Sequence, residues 1–193
     1  MPCDTKGLMT SAIFLLPFIR QVYSWVGGDT VDKKNFKRTL EDGKSLAFIP
    51  GGVQEVTLSD QSKPEEIVLY LKNRKGFVKI ALEYGVPIVP VFAFGLKGAY
   101  SFYFPSGNIF TTLSRAIGFV PLVFFGRFGI PFGIPKPLKL HVVFGEPINI
   151  PKEINPSSES IEKYHNIFLQ NMESLFEAHK ESNGYGSKSL KIL

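Results

Sequence analysis

The stretch LAFIPGGVQEV, residues Leu46–Val56, decides how the fold is read. Its first half is a short apolar run with the character of a buried strand. It breaks at Pro50 into Gly51-Gly52, a turn able to take positive φ and to let another group come close to its backbone. Gln54 and Glu55 follow on the loop that leaves the strand end, where ligands bind in open parallel α/β sheets. A lone Gly-Gly-x-x-Glu is a weak signal and on its own reads as an ordinary strand exit with a solvated glutamate. Its meaning depends on the sequence around it.

Upstream, Leu8, Met9, Ala12, Ile13 and Leu16 fall at helical spacing, and Phe18, Val22 and Trp25 continue it past Pro17 until Gly27-Gly28. The polar face is not rich in Lys or Arg, so this reads as a helix packed on the core and not as a membrane-surface helix. Asp32 is placed to cap a second helix carrying Phe36 and Leu40, with Gly43 at its end. Ser45–Ile49 is the strand that delivers the glycine turn.

Downstream, Pro64–Leu71 reads as a short strand around Ile67, Val68, Leu69 and Tyr70. Arg74–Tyr84 reads as a helix with Phe77, Ile80, Ala81 and Tyr84 on one side and Gly85 closing it. Val86–Phe94 is nearly uninterrupted β-branched and aromatic sequence, as expected of a central strand covered on both faces. Strand, helix, glycine, strand is the signature of a right-handed parallel crossover. Arg74 and Lys75 at the start of the connecting helix are placed to hold an anion together with backbone N–H groups, or to form a solvated basic first turn.

Residues 100–134 interleave Phe102, Tyr103, Phe104, Phe110, Phe119, Phe124, Phe125, Phe128 and Phe132 with Gly and Pro at no regular period. Arg127 and the helix breakers argue against a membrane span over Ile117–Ile134. Two readings stay open for this region: an interfacial or re-entrant loop facing lipid or an acyl chain, and a loop folded onto the protein's own core. Leu138–Phe144 should be a strand, with His141 as an ordinary strand histidine and Glu146 as a turn residue. Asn155 or Ser157 caps a long helix carrying Ile161, Tyr164, Phe168, Leu175 and Phe176 inward. Residues 187–193 read as a frayed basic tail.

Composition narrows the partners. The 193 residues suit one domain, and 44% hydrophobic content is ample for a core. A net charge of +5 and a pI near 9.2 favour anionic partners. Nucleic acid is disfavoured, because the lysines are scattered and the aromatics do not alternate with basic residues. The single cysteine, Cys3, excludes an internal disulfide framework. There is no metal-spaced Cys or His cluster, and the glycine turn lacks the third glycine and following helix of a dinucleotide fingerprint.

Four segments in order, IPGGVQE (Ile49–Glu55), NRKGF (Asn73–Phe77), VPVFAFG (Val89–Gly95) and VVFGEPI (Val142–Ile148), resemble the type-2 diacylglycerol acyltransferase family, which includes monoacylglycerol and wax-ester acyltransferases. The resemblance runs from about Phe14 to His179. It implies an α/β fold with a central, mostly parallel sheet flanked by helices in the glycerolipid-acyltransferase style. It implies an O-acyltransferase that moves an acyl group from acyl-CoA to a lipid alcohol, diacylglycerol first, at the cytosolic face of the endoplasmic reticulum membrane, with no cofactor beyond acyl-CoA as substrate. Acyl-CoA, the acceptor and membrane lipid are the implied partners, and Gly51, Gly52, Glu55, Arg74, Gly76 and Phe77 are the implied substrate-binding residues. Arg20 matches an arginine frequent in the family, but reads as a surface charge.

The sequence also departs from the family. Members carry His-Pro-His-Gly, whose histidine serves as base; here the three histidines, His141, His165 and His179, all lie downstream of the glycine turn, and none is followed by Pro-His-Gly. The expectation is a single acyltransferase-like domain over 1–193 that is N-terminally incomplete or naturally shortened, inactive alone, with none of its own histidines on the loop face that carries Gly51 and Glu55. The alternative is a non-catalytic lipid-binding or regulatory paralogue that has lost the base.

Overall fold

The computed structural model describes residues 4–14, 19–52, 55, 63, 65–96, 98–103, 123–129 and 134–193, and within them the chain is α/β. The first unit is a parallel sheet. β1 (Thr5–Met9) lies between β2 (Gly28–Thr30) and β3 (Ser45–Ala47), with Gly7 opposite both Gly28 and Ala47. The connections run through α1 (Ser11–Phe14) and α2 (Ile19–Trp25), then through α3 (Lys33–Glu41). Asp32 caps α3 as expected, its carboxylate accepting the Asn35 N–H at 2.9 Å.

Leu8 and Met9 are in a strand and do not begin a helix. Their spacing fits either element, and Gly7 disfavours helix while the parallel neighbours on both sides supply a complete ladder.

The expected single central sheet is not what the described strands form. β4 (Glu66–Leu69) pairs in parallel with β9 (Ser189–Ile192), while β5 (Val91–Phe94) pairs antiparallel with β8 (His141–Phe144). The segment β4, α4 (Gly76–Tyr84), β5 therefore does not return to its own sheet as a parallel crossover. Pro87 and Pro90 explain part of this: each lacks an N–H for a ladder, and before Val91 only an isolated bridge joins Ile88 to Ile148. Nor is β5 covered on both faces. Phe92 and Phe94 are buried, whereas Val91 and its neighbours Val142 and Phe144 on β8 are exposed.

The core lies between α4, the β5–β8 ribbon and the long helix α5 (Ser158–Lys180), which buries Phe168, Met172, Leu175 and Phe176. Of the two candidate caps it is Ser157 that accepts, from Ser160 N–H at 3.0 Å. Edge-to-face aromatic contacts run from Phe36 to Phe48, Phe77 and Phe168 with centroids 5.2, 5.6 and 5.1 Å apart. Phe48, two residues before Pro50, is thereby wedged between α3 and α4 and fixes where the glycine turn leaves the core.

In the aromatic region, β6 (Ser101–Tyr103) pairs antiparallel with β7 (Val123–Phe125), and a 3-10 turn follows at Arg127–Gly129. Residues 104–122 and 130–133, on which most of the lipid-loop reading rests, lie outside the described residues. Among the described residues no helix is long and apolar enough to cross a membrane.

The C-terminal residues are not a frayed tail. β9 adds a parallel strand to β4, Ile192 is buried, and Leu193 is bonded at both its N–H and its carbonyl. Only Leu190 and Ile192 alternate with polar residues, too short a pattern to stand out from a lysine-bearing end. Ile192→Ala should therefore cost about 2–4 kcal/mol in chemical denaturation, as for a buried aliphatic side chain. A change within experimental error would restore the tail reading.

Candidate active site around Glu55

The site begins with a steric fact at the glycine turn. Gly51 is buried, and a Cβ placed on it would overlap Oε1, Cδ and Cγ of Glu55. The Glu55 side chain folds back over the Gly51 Cα, and only glycine leaves room for it. Gly52 takes φ +59, which reverses the chain, and its carbonyl accepts the Glu55 N–H at 3.2 Å.

The folded-back carboxylate meets the end of β4. Glu55 Oε1 accepts the Tyr70 backbone N–H at 3.1 Å. Burial raises the Glu55 pKa above its ordinary value, while the Tyr70 N–H and the nearby positive charge of Arg74 pull it back less strongly. Arg74 also lies against Tyr70, its guanidinium carbon 5.1 Å from the ring centroid. Tyr70 thus meets both groups, Glu55 through its backbone N–H and Arg74 through its ring.

The loop between β4 and α4 is bonded along its length. Leu71 and Lys72 both donate their N–H to the Leu193 carbonyl at 2.8 Å, and the Leu71 carbonyl accepts the Arg74 N–H at 2.9 Å. The same Leu71 carbonyl accepts from His165 Nε2 at 3.0 Å. His165 is 1% exposed, and its burial among apolar groups lowers its pKa, so the ring is a neutral donor through Nε2. Lys75 forms an ion pair with Glu162, one turn before His165 on α5.

Gly51, Gly52 and Glu55 are therefore in contact, and the charge of Arg74 acts on Glu55. Gly76 opens α4 close by and is exposed, with nothing within 4 Å of where a Cβ would stand. Phe77 turns into the core against Phe48, Phe168 and His165, where it holds the site's supports. Lys75 is directed to Glu162. Gln54 lies outside the described residues.

None of the three histidines meets the Gly51–Glu55 turn among the described residues, but His165 reaches the adjoining loop at Leu71, a role that sequence reading does not assign to it. The signal was available: position 165 falls on the helical row of Ile161, Phe168 and Met172, so its imidazole had to be buried and bonded. His141 and His179 bond instead to Asn183 Oδ1 and to the Leu175 carbonyl. No group of side chains suited to a metal ion occurs among the described residues.

The family model described as diacylglycerol acyltransferase matches residues 5–192. The chain belongs to this family. It is 36% identical over 179 residues to diacylglycerol O-acyltransferase 2 of Dictyostelium discoideum, an alignment covering 88% of this chain and 53% of that protein. It is 32% identical to human 2-acylglycerol O-acyltransferase 3 over 190 residues, 90% of this chain and 54% of that one. With human acyl-CoA wax alcohol acyltransferase 2 the identity is 31% over 208 aligned positions, all of this chain and 61% of that one. The chain thus spans about half the length of the curated relatives it matches. No solved structure matches it.

The raised pKa of Glu55 has a direct consequence for stability. Its contribution is full below the ordinary glutamate value and is lost as pH rises through the higher folded-state value, because ionisation in the buried site is disfavoured. The stability of Glu55→Gln relative to the parent should therefore increase between about pH 4 and about pH 7, measured by urea unfolding. A constant difference, or one that shrinks, would mean that the carboxylate is not desolvated.

Proposed function

We propose that the chain is the acyltransferase portion of an enzyme that transfers an acyl group from acyl-CoA to a lipid alcohol, with the Gly51–Glu55 turn and Arg74 forming part of the acceptor side. The observation that carries this is the desolvated Glu55 carboxyl packed on Gly51 and held by the Tyr70 N–H, beside the Arg74 charge. Burying a carboxylate against a glycine that leaves it no other room is costly, and such placements mark functional sites. Family membership supplies the reaction class, and the printed names of the relatives span diacylglycerol, 2-acylglycerol and wax alcohol acceptors.

In direct transfer a base takes the acceptor hydroxyl's proton as the oxygen attacks the thioester carbonyl. N–H donors then hold the tetrahedral oxyanion, and the CoA thiolate leaves. Glu55 and the turn orient the acceptor, and Arg74 meets either Glu55 or a phosphate. The accompanying fold reading is a glycerolipid-acyltransferase frame, supported by the parallel pairings of β1 with β2 and β3 and of β4 with β9. Work at the cytosolic face of the endoplasmic reticulum membrane is part of the proposal. Contact with lipid is supported by Trp25, Phe128 and Phe144, which are 82%, 80% and 70% exposed.

A non-catalytic lipid-binding reading draws on one specific observation: none of the three histidines bonds to the Gly51–Glu55 turn among the described residues. Acyl transfer from radiolabelled acyl-CoA separates the two readings. The 193-residue chain alone should give no product above background with diacylglycerol, monoacylglycerol or fatty alcohol. Joined to a family segment that carries His-Pro-His-Gly, it should transfer, and Glu55→Gln or Gly51→Ala should lower that rate at least ~10-fold, in keeping with loss of one oriented group. Acyl-CoA binding without transfer in the joined protein would favour the lipid-binding reading. Transfer by the chain alone, abolished by His141→Ala, would place the base on β8.

A further inference from the structure

We propose that His165 is a positioning residue for the Glu55 site: its Nε2–H fixes the Leu71 peptide, and through it the Tyr70 N–H and Arg74 that hold the Glu55 carboxyl. The proposal rests on reading Glu55 as a site residue.

The bonds form a short chain of dependence. His165 donates to the Leu71 carbonyl at 3.0 Å, the Leu69–Tyr70 peptide two units upstream presents Tyr70 N–H to Glu55 Oε1 at 3.1 Å, and three residues on from Leu71 stands Arg74. The Leu71 carbonyl is already satisfied by the Arg74 N–H at 2.9 Å. A core leucine or phenylalanine at position 165 would therefore leave no orphaned acceptor, and would avoid burying an imidazole. What the second donor adds is a tie to another element: rotation of the Leu71–Lys72 peptide would break its bond to α5 as well as the local bond from Arg74.

The surroundings keep the ring a donor. Phe77 meets it edge-on with centroids 6.5 Å apart, and the charged groups that act on it are Lys75 and Glu162, which neutralise each other in an ion pair. His165 and Glu162 both lie on α5, so the long helix grips the loop at the Leu71 carbonyl and at Lys75. The bond joins residues 94 apart in sequence. It couples the most regular element of the fold to the loop beside the glycine turn.

The test is the titration of Glu55 in the 193-residue chain, followed by carbon NMR of labelled glutamate together with exchange of the Tyr70 amide. His165→Gln keeps an N–H donor near the Nε2 position, while His165→Phe keeps a ring without the donor. His165→Asn, which is polar but too short to reach Leu71, serves if the Phe variant does not fold. In the Phe or Asn variant the carboxyl, no longer held by the Tyr70 N–H, should turn out to water and lose the burial that is the largest cause of its shift. The Glu55 midpoint should therefore fall toward the ordinary glutamate range, and the Tyr70 amide should exchange at least ~10-fold faster at equal global stability. The Gln variant should retain both parental values. Unchanged Glu55 titration and Tyr70 exchange in the donor-less variants, with only a lower unfolding midpoint, would reduce His165 to a packing residue and overturn the proposal. Transfer by the joined protein that is indifferent to Glu55→Gln would sink the site reading, even where the titration shows His165 positioning the loop.

Discussion

The N–H groups of Tyr70, Leu71 and Lys72 and the carbonyl of Leu71 are all hydrogen-bonded, and the candidate site depends on them. Leu71 and Lys72 give their N–H groups to Leu193, and the Leu71 carbonyl takes bonds from Arg74 and His165. A loop between a strand and a helix is ordinarily among the mobile parts of a protein. Here it is clamped by the C-terminal strand from one side and by the long helix from the other. The Leu71 side chain, 2% exposed, seals the arrangement into the core.

That rigidity makes the placement of Glu55 tolerable. A buried carboxyl gains from one backbone N–H and from the Arg74 charge, but burial still outweighs both. If Tyr70 could drift, the carboxylate would swing out to water, where it is better solvated. On the opposite side, Phe48 holds the strand exit against Phe36 and Phe77, so the glycine turn and the β4–α4 loop are fixed against the same aromatic core. Two loops distant in sequence are thereby kept within reach of each other by packing, and the absent Cβ of Gly51 sets how closely they meet.

Much of this was legible in the sequence, for reasons that differ by element. The Asp32 cap, the Gly85 terminator of α4 and the inward face of α5 follow from local chemistry, and all are present. Gly51-Gly52 and Glu55 could be singled out only through the segments that follow them in order, NRKGF, VPVFAFG and VVFGEPI, since a glycine pair before a glutamate is by itself an ordinary strand exit. Sheet topology was not legible. An apolar run such as Val86–Phe94 does not tell a two-faced strand from one interrupted by prolines and covered on one face. The roles of Leu193 and His165 were hidden because both act on Leu71 across long sequence separations, and a four-residue strand or one imidazole leaves almost no local pattern. The row of Ile161, His165 and Phe168 was the one trace, and it says only that the histidine is buried.

Amide hydrogen exchange resolved by NMR tests the central claim that this loop is locked from both sides. The account predicts that Tyr70, Leu71 and Lys72 exchange as slowly as the buried amides of α5, through global unfolding of the chain. Exchange of these three amides at rates typical of an open surface loop, with α5 still protected, would contradict it.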